Sequence, residues 1–419
     1  MALSMGPWYT PMMIRRQALL CAMATWSLNM SAQSDVIGDI VGAVNIDSMI
    51  TYVEEMTGEV PVDLGNGPIT ITSRHADHAG NALAQQYYEQ RFAAWGYTPA
   101  EHVFNATGTN VLVTKPGTVH PEEIVVLCAH YDSKPAGTLY NAPGADDDGS
   151  GCAAVLEAAR ILRDIPFERT IVFALWDQEE QGKIGSMHYA NMMAANDEAI
   201  VGVVNMDAIA YDGNGDRKAR VHARAVANSM AIADTVFAVL DRYALDVDLL
   251  LTTPGETYSD HASFWSAGYG AVLVIEEFAG DGNPNYHTPN DRVQYFDVPY
   301  FEDLAKLSIA SAAALAIPHD PTAAVVDMAP AAPALMLYAY PNPTADMLRV
   351  WVNVPKTQQH RVVVLNAIGE QVQLLADGVL REGRQEFVLA PGVLAPGAYV
   401  VVAYPEQGEP ASVRVLRVP

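Results

Sequence analysis

Apolar residues recur at i, i+3, i+4 and i+7 through Ile46, Met49, Ile50 and Val53, which predicts an amphipathic helix over 46–56 with Gly58 just past its end. Leu83, Tyr87, Phe92 and Trp95 fall near one face of a second helix over 81–95, closed by Gly96. Two strands follow, Asn110-Val-Leu-Val-Thr114 and Glu123-Ile-Val-Val-Leu-Cys-Ala-His130. The second is apolar on both faces, as a buried parallel strand must be. From there the pattern alternates, with helices over 152–163, 186–195, 225–243, 261–267 and 300–316 and strands over 170–176, 200–206 and 271–275. Such alternation predicts an α/β fold on a mostly parallel mixed sheet flanked by helices. Ligands in these folds sit beyond the carboxyl ends of the strands, so polar residues there carry the most information.

The ends of the chain have a different texture. Arg15-Arg16 leads into the apolar run Ala18 to Leu28, and Ser31-Ala32-Gln33 offers small residues for cleavage, so 1–33 is expected to be a signal peptide. That run is too short to span a bilayer, and no later stretch approaches about 18 uninterrupted apolar residues. The expected product is therefore secreted or held at the cell surface, with no transmembrane segment. A catalytic domain is expected over 34–317. Residues 318–334 are rich in Pro and Ala, lack any period and predict a linker. Beyond it, short strands at 348–352, 361–365, 386–389, 398–402 and 412–416, separated by Gly369, Gly378, Gly383 and Gly397, predict a small all-β sandwich over 335–419.

With 49 acidic against 24 basic residues the formal charge is −25, and no basic patch stands against it, which disfavours a nucleic-acid partner. Most of this acidity suits a solvated surface. Three cysteines occur, of which Cys21 leaves with the leader; Cys128 and Cys152 are expected as buried thiols, with a bridge between them left open.

Several strand ends carry chemistry. His130-Tyr-Asp132 follows a buried strand, with Asp132 two residues on and able to orient the His130 ring. Gly144-Ala-Asp-Asp-Asp-Gly-Ser-Gly151 sets three carboxylates between glycines before a helix. Turn formation and helix capping would use one of them, but three adjacent acids repel unless a cation neutralises them. Glu179-Glu180 follows another buried strand, suiting one metal-binding and one proton-moving carboxylate. Asp207 ends a third strand, and His287 stands in the loop Tyr286-His-Thr-Pro-Asn-Asp291. Two His and three carboxylates form a ligand set that suits Zn2+ with a position open to water. Five ligands exceed one tetrahedral ion, and a carboxylate shared by two ions resolves the excess.

These motifs, in this order, resemble the co-catalytic zinc exopeptidase family that contains the bacterial leucyl-type aminopeptidases. The resemblance runs from about Ile46 to Ala316 and takes in Arg74, Gly80-Asn81 and Ser259-Asp260-His261 as weaker signs. It implies two Zn2+ per chain bridged by Asp147, with His130 and Asp207 completing one site and Glu180 and His287 the other. It further implies Glu179 as the general base toward a metal-bridging water, Asp132 as the residue that orients His130, and peptide substrates cut from the amino end. The C-terminal part, with Tyr340-Pro-Asn-Pro-Thr344, Val363-Val-Leu-Asn-Ala-Ile-Gly369 and Gly397-Ala-Tyr-Val-Val401, resembles the sorting domain of the type nine secretion system. That implies an outer-membrane secretion machinery as partner. Carboxypeptidase or glutaminyl cyclase activity, which the same family contains, and a receptor-like relative without chemistry are the alternatives. His130-Tyr-Asp-Ser-Lys134 is slightly similar to the cyclases. The acid motifs look like those of the peptidases, and the presence of every ligand and the base argues against an inactive relative.

Overall fold

The computed structural model describes residues 35–135, 137–319, 335–340, 344, 347–367, 369–408 and 410–418. The expected signal peptide, the linker from 320 onward and parts of the two sorting-type motifs, at 341–343 and 368, lie outside these residues. The chain forms two compact units, divided between Asp320 and Pro321.

The first unit opens with helices α1 (Val36–Ala43) and α2 (Ile46–Met56), the small hairpin β1 (Val62–Asp63) and β2 (Pro68–Ile69), and helix α3 (Ala79–Ala94). Strands β3 (Ala100–Val103), β4 (Thr109–Lys115) and β5 (His120–His130) lead to α4 (Gly149–Leu162), β6 (Arg169–Trp176), α5 (Ile184–Ala195) and β7 (Ala199–Met206). Then come β8 (Lys218–His222), α6 (Ser229–Tyr243), β9 (Asp248–Thr252), α7 (His261–Ser266), β10 (Ala271–Glu276) and α8 (Val298–Ala316). Eight strands form one sheet in the order β3-β4-β6-β5-β7-β10-β8-β9. Its centre, β6, β5, β7 and β10, is parallel throughout, while β4 and β8 join it antiparallel.

The two-residue period sorts side chains into two cores. Val125, Leu127 and Ala129 of β5, with Ile171, Phe173 and Leu175 of β6, pack with helices α1, α2, α3, α4, α6 and α8. Their neighbours Val126, Cys128, Val172, Ala174 and Trp176 point the other way, onto α5 and α7. Helix starts follow local chemistry: Asn45, Asp148 and Asp297 accept from the Ser48, Gly151 and Tyr300 N–H groups.

The α/β expectation holds, with differences at the edges. The expected helix from Ala225 begins at Ser229, because Ala227 takes a positive φ of 44° that a helix cannot continue. β3, β8 and β9 did not stand out as strands because they are short and lie in the outer part of the sheet, where burial leaves a weak period. Pro318 and His319, expected in the linker, belong to the first unit: Pro318 bridges Phe167, and the His319 N–H donates to Pro166. Cys128 and Cys152 are buried free thiols. No single helix among the described residues is long and apolar enough to cross a membrane.

The second unit is all β. Strands β11 (Met336–Tyr340), β12 (Leu348–Val354) and β15 (Gly383–Leu389) make one sheet, and β13 (Gln358–Asn366), β14 (Gln371–Leu380), β16 (Gly397–Pro405) and β17 (Ala411–Arg417) make the other. Val350 and Val352 of the first share a core with Val362, Val364 and Val401 of the second, which makes a sandwich. Gly378, expected at a turn, lies inside β14 opposite the buried His360.

Candidate metal centre

Because β5, β6, β7 and β10 run parallel, their carboxyl ends share one edge. His130 is the last residue of β5, Glu179 and Glu180 lie in the turn after β6, and Asp207 follows β7. Asp147 precedes α4, and His287 lies in the loop after β10. All six come together: His130, Asp147, Glu179 and Asp207 are buried, Glu180 is half-buried with its side chain turned inward, and His287 is about a fifth exposed at its side chain.

The backbone before α4 is set by unusual local conditions. Gly144 has a φ of +53°, and a Cβ there would meet the Asp147 carbonyl oxygen at 2.4 Å, so this close approach needs glycine. Arg74, fully buried, donates from Nε to the Tyr131 carbonyl at 2.7 Å, from Nη2 to Gly144 at 2.8 Å, and from Nη1 to Pro143 and Met56. It fixes the acid loop to the end of β5 through main-chain oxygens. Asn81 is positioned nearby, donating to the Arg74 carbonyl and to Asp177 Oδ1.

Asp147 spans the centre. Its Oδ1 is 3.1 Å from Nε2 of His130, and its Oδ2 is 2.9 Å from Nε2 of His287. His287 Nε2 is also 3.0 Å from Glu180 Oε1, and His130 Nε2 is 3.7 Å from Asp207 Oδ1. Possible ligand atoms of Asp147, Glu180 and His287 lie within 4.8 Å of one another, as do those of His130, Asp148 and Asp207. Asp148 is nevertheless already engaged: its oxygens accept from the main-chain N–H groups of His130, Gly151 and Ala208. Asp148 is thus a cap and a tie between strand ends, while Asp147 offers oxygens to both histidines.

The residues fit a bound cation. Asp147 Oδ2, Glu180 Oε1 and His287 Nε2 are buried without a hydrogen bond, although they approach within 2.9 to 3.0 Å. Buried polar atoms converging without hydrogen-bond geometry are what a shared cation would satisfy. The nitrogen and carboxylate donors suit zinc. His130 Nδ1 lies 3.1 Å from the Asp132 carbonyl oxygen, which can only accept, so Nδ1 carries the proton and Nε2 is left to face Asp147.

Asp132 therefore meets His130 chiefly through its main chain; its carboxylate is 3.5 Å from Nδ1. The same carboxylate accepts from the Glu179 N–H at 2.9 Å and the Glu180 N–H at 3.2 Å, which fixes both acids relative to His130. Burial pushes the Glu179 carboxyl well above the usual range, against the opposing pull of His130. Burial also raises Glu180, with the Asp147 charge adding to it. His287 is drawn down by burial, but Asp147 and Glu180 hold it up at about 9.

Of the weaker signs, Ser259 accepts from Asn205 Nδ2 at 2.8 Å, and Asp260 is fully buried and caps nothing. The residues missed in sequence were those that hold the site rather than line it, Asp177 and Asp291. Asp177 accepts from Asn81 and from the Thr109 N–H, a pairing that only the folded sheet reveals.

Residues 110–312 match the model for peptidase family M28. This segment is similar to the M28 peptidases, and the chain is a zinc metallopeptidase. The chain is similar to leucine aminopeptidase 1 of Trichophyton rubrum, 29% identical over 62% of this chain and 70% of that one. Aminopeptidase YwaD of Bacillus subtilis is 28% identical over 49% of this chain and 44% of its own length. The Legionella pneumophila LapA aminopeptidase shares the fold, with a TM-score of 0.57 at 20% identity over 68% of this chain and 75% of that one. Fimbriiglobus ruber glutaminyl cyclase shares it too, with a TM-score of 0.51 at 19% identity over 64% and 95%.

Proposed function

We propose that the protein is a secreted aminopeptidase that uses two zinc ions bridged by Asp147 and Glu179 as general base. The observation that carries this reading is Asp147 reaching both His130 and His287 with separate oxygens. His130 and Asp207 would complete one site, Glu180 and His287 the other. When bound, the ions would acidify a water and polarise the scissile carbonyl.

Glu179 supplies the proton path. Burial raises the proton affinity of its carboxylate, the direction that helps a carboxylate take up a proton. It accepts the proton as the water oxygen bonds to the carbonyl carbon, then gives it to the amine nitrogen as the C–N bond breaks. Asp132, by holding the N–H groups of Glu179 and Glu180, keeps the base and a ligand in one fixed relation. Action at the amino end draws on the names of the relatives, which are aminopeptidases.

Incubation with an aminoacyl anilide and, separately, a glutaminyl peptide tests the reaction. The reading expects a free amino acid from both; ring closure of the glutaminyl residue without hydrolysis would replace it with cyclase chemistry. Export rests on the basic and apolar leader and on the C-terminal motifs. Mass spectrometry of the extracellular product tests that part, expecting a start near Gln33 or Ser34; retention of the whole chain inside the cell contradicts it.

A further inference from the structure

Asp291 stands in the same loop as His287, yet its side chain points at a different part of the centre. Its Oδ1 accepts from the Asp146 N–H at 2.9 Å, and its Oδ2 accepts from the Asp147 N–H at 3.2 Å. Its carbonyl oxygen accepts from the Ala145 N–H at 3.2 Å. Three consecutive N–H groups of the acid loop are thus taken by one residue, which is 2% exposed. In the other direction, the Asp291 N–H donates to the Thr288 carbonyl at 3.1 Å, while the Thr288 N–H and hydroxyl both donate to Asn285. These bonds close a tight turn around His287, which takes a left-handed φ of 58°.

We infer that Asp291 is the positioning residue of the second metal site, joining the turn that presents His287 to the backbone that presents Asp147. The inference rests on the two-metal reading above. Asp147 and His287 come from segments 140 residues apart in sequence, from 147 to 287, and Asp291 ties their main chains together beside the bond from Asn283 Nδ2 to Asp146 Oδ2 at 2.9 Å. A carboxylate accepting two buried N–H groups is a strong link, because both bonds are charge-assisted and neither donor has water to turn to. His130 and Asp207 sit at the ends of β5 and β7, where the sheet already holds them. Losing Asp291 therefore weakens the second site, where it ties both Asp147 and the His287 turn, more than the first, which it reaches through Asp147 alone.

Zinc titration of the purified full chain, with Asp291→Asn and Asp291→Glu beside it, tests this. Asp291→Asn keeps the shape but turns one acceptor into a donor facing an N–H. The wild type should bind two ions. Asp291→Asn should bind the second about 10–100-fold more weakly, as for lost outer partners of metal ligands, and the first with a clearly smaller loss. Excess zinc should restore its occupancy. A merely structural residue would lower the melting temperature of the metal-free protein and leave both affinities of the folded fraction unchanged; that result overturns the inference. So does an unfolded chain for both variants, which assigns Asp291 to folding alone. If the wild type binds fewer than two ions, the underlying reading fails whatever Asp291 does.

Discussion

Asp147 Oδ2 lies 2.9 Å from Nε2 of His287, while the other oxygen of the same carboxylate lies 3.1 Å from His130. A residue that serves two sites cannot be replaced by one that serves a single site. Asp147→Asn keeps one oxygen and sets an NH2 group against a histidine nitrogen. Zinc affinity is expected to fall by more than about 100-fold, beyond the usual cost of losing an outer partner. Equilibrium dialysis with metal analysis reads this directly.

Glu179 should separate from the ligands. Glu179→Gln removes a proton acceptor but no ligand atom in the proposed assignment, so kcat should drop by roughly 100- to 10,000-fold. Zinc content should stay unchanged. Steady-state hydrolysis together with metal analysis checks both; near wild-type turnover would sink the assigned role.

Zinc uptake should release protons. In the metal-free protein, Asp147 and Glu180 hold His287 at about 9, so the ring is charged at neutral pH and must lose its proton before Nε2 can coordinate. Apparent affinity should therefore rise with pH, by about tenfold per unit for each proton displaced, and level off above about 9. Calorimetric titration in buffers of different ionisation enthalpy counts the protons. No release at neutral pH would contradict the assignment of His287 as a ligand.

Acid stability should depend on His222. Its Nδ1 accepts from the Glu256 N–H at 3.0 Å, so the proton sits on Nε2, which faces the Tyr258 hydroxyl at 3.1 Å. Burial, aided by the Arg220 charge, lowers it from 6.5 to about 4. The unfolded chain then binds a proton more readily than the folded one. Stability is complete above 6.5 and drains as pH falls from 6.5 towards 4. The loss is at most about 3 kcal/mol. Chemical denaturation across this range should show the slope in the wild type and a shallower one in His222→Gln.

What could be read from residues alone follows from how far apart the partners lie. β5 and β6 are legible because both faces are buried, leaving apolar runs that end in His130 and Trp176. Four of the proposed ligands are legible for the same reason, ending or following such a run or standing among glycines, whereas His287, in a Pro- and Asn-rich loop, gains weight only beside the other motifs. Asp148 looks identical to Asp147 in sequence; only the fold gives it the His130, Gly151 and Ala208 N–H groups and leaves Asp147 to the histidines. Asp132 shows the same limit, since its bonds to Glu179 and Glu180 cross 47 and 48 residues. Asp291 in a Pro- and Asn-rich loop has the appearance of a turn residue, and its bonds to residues 146 and 147 exist only after β10 has docked beside β7.

Anomalous diffraction at the zinc edge, from crystals of the zinc-loaded protein, tests the proposed pair of sites sharing Asp147 most directly. Two peaks are expected, one contacted by His130, Asp207 and Asp147, the other by Asp147, Glu180 and His287. A single peak, or two peaks with Asp148 in place of Asp147 between them, would contradict it.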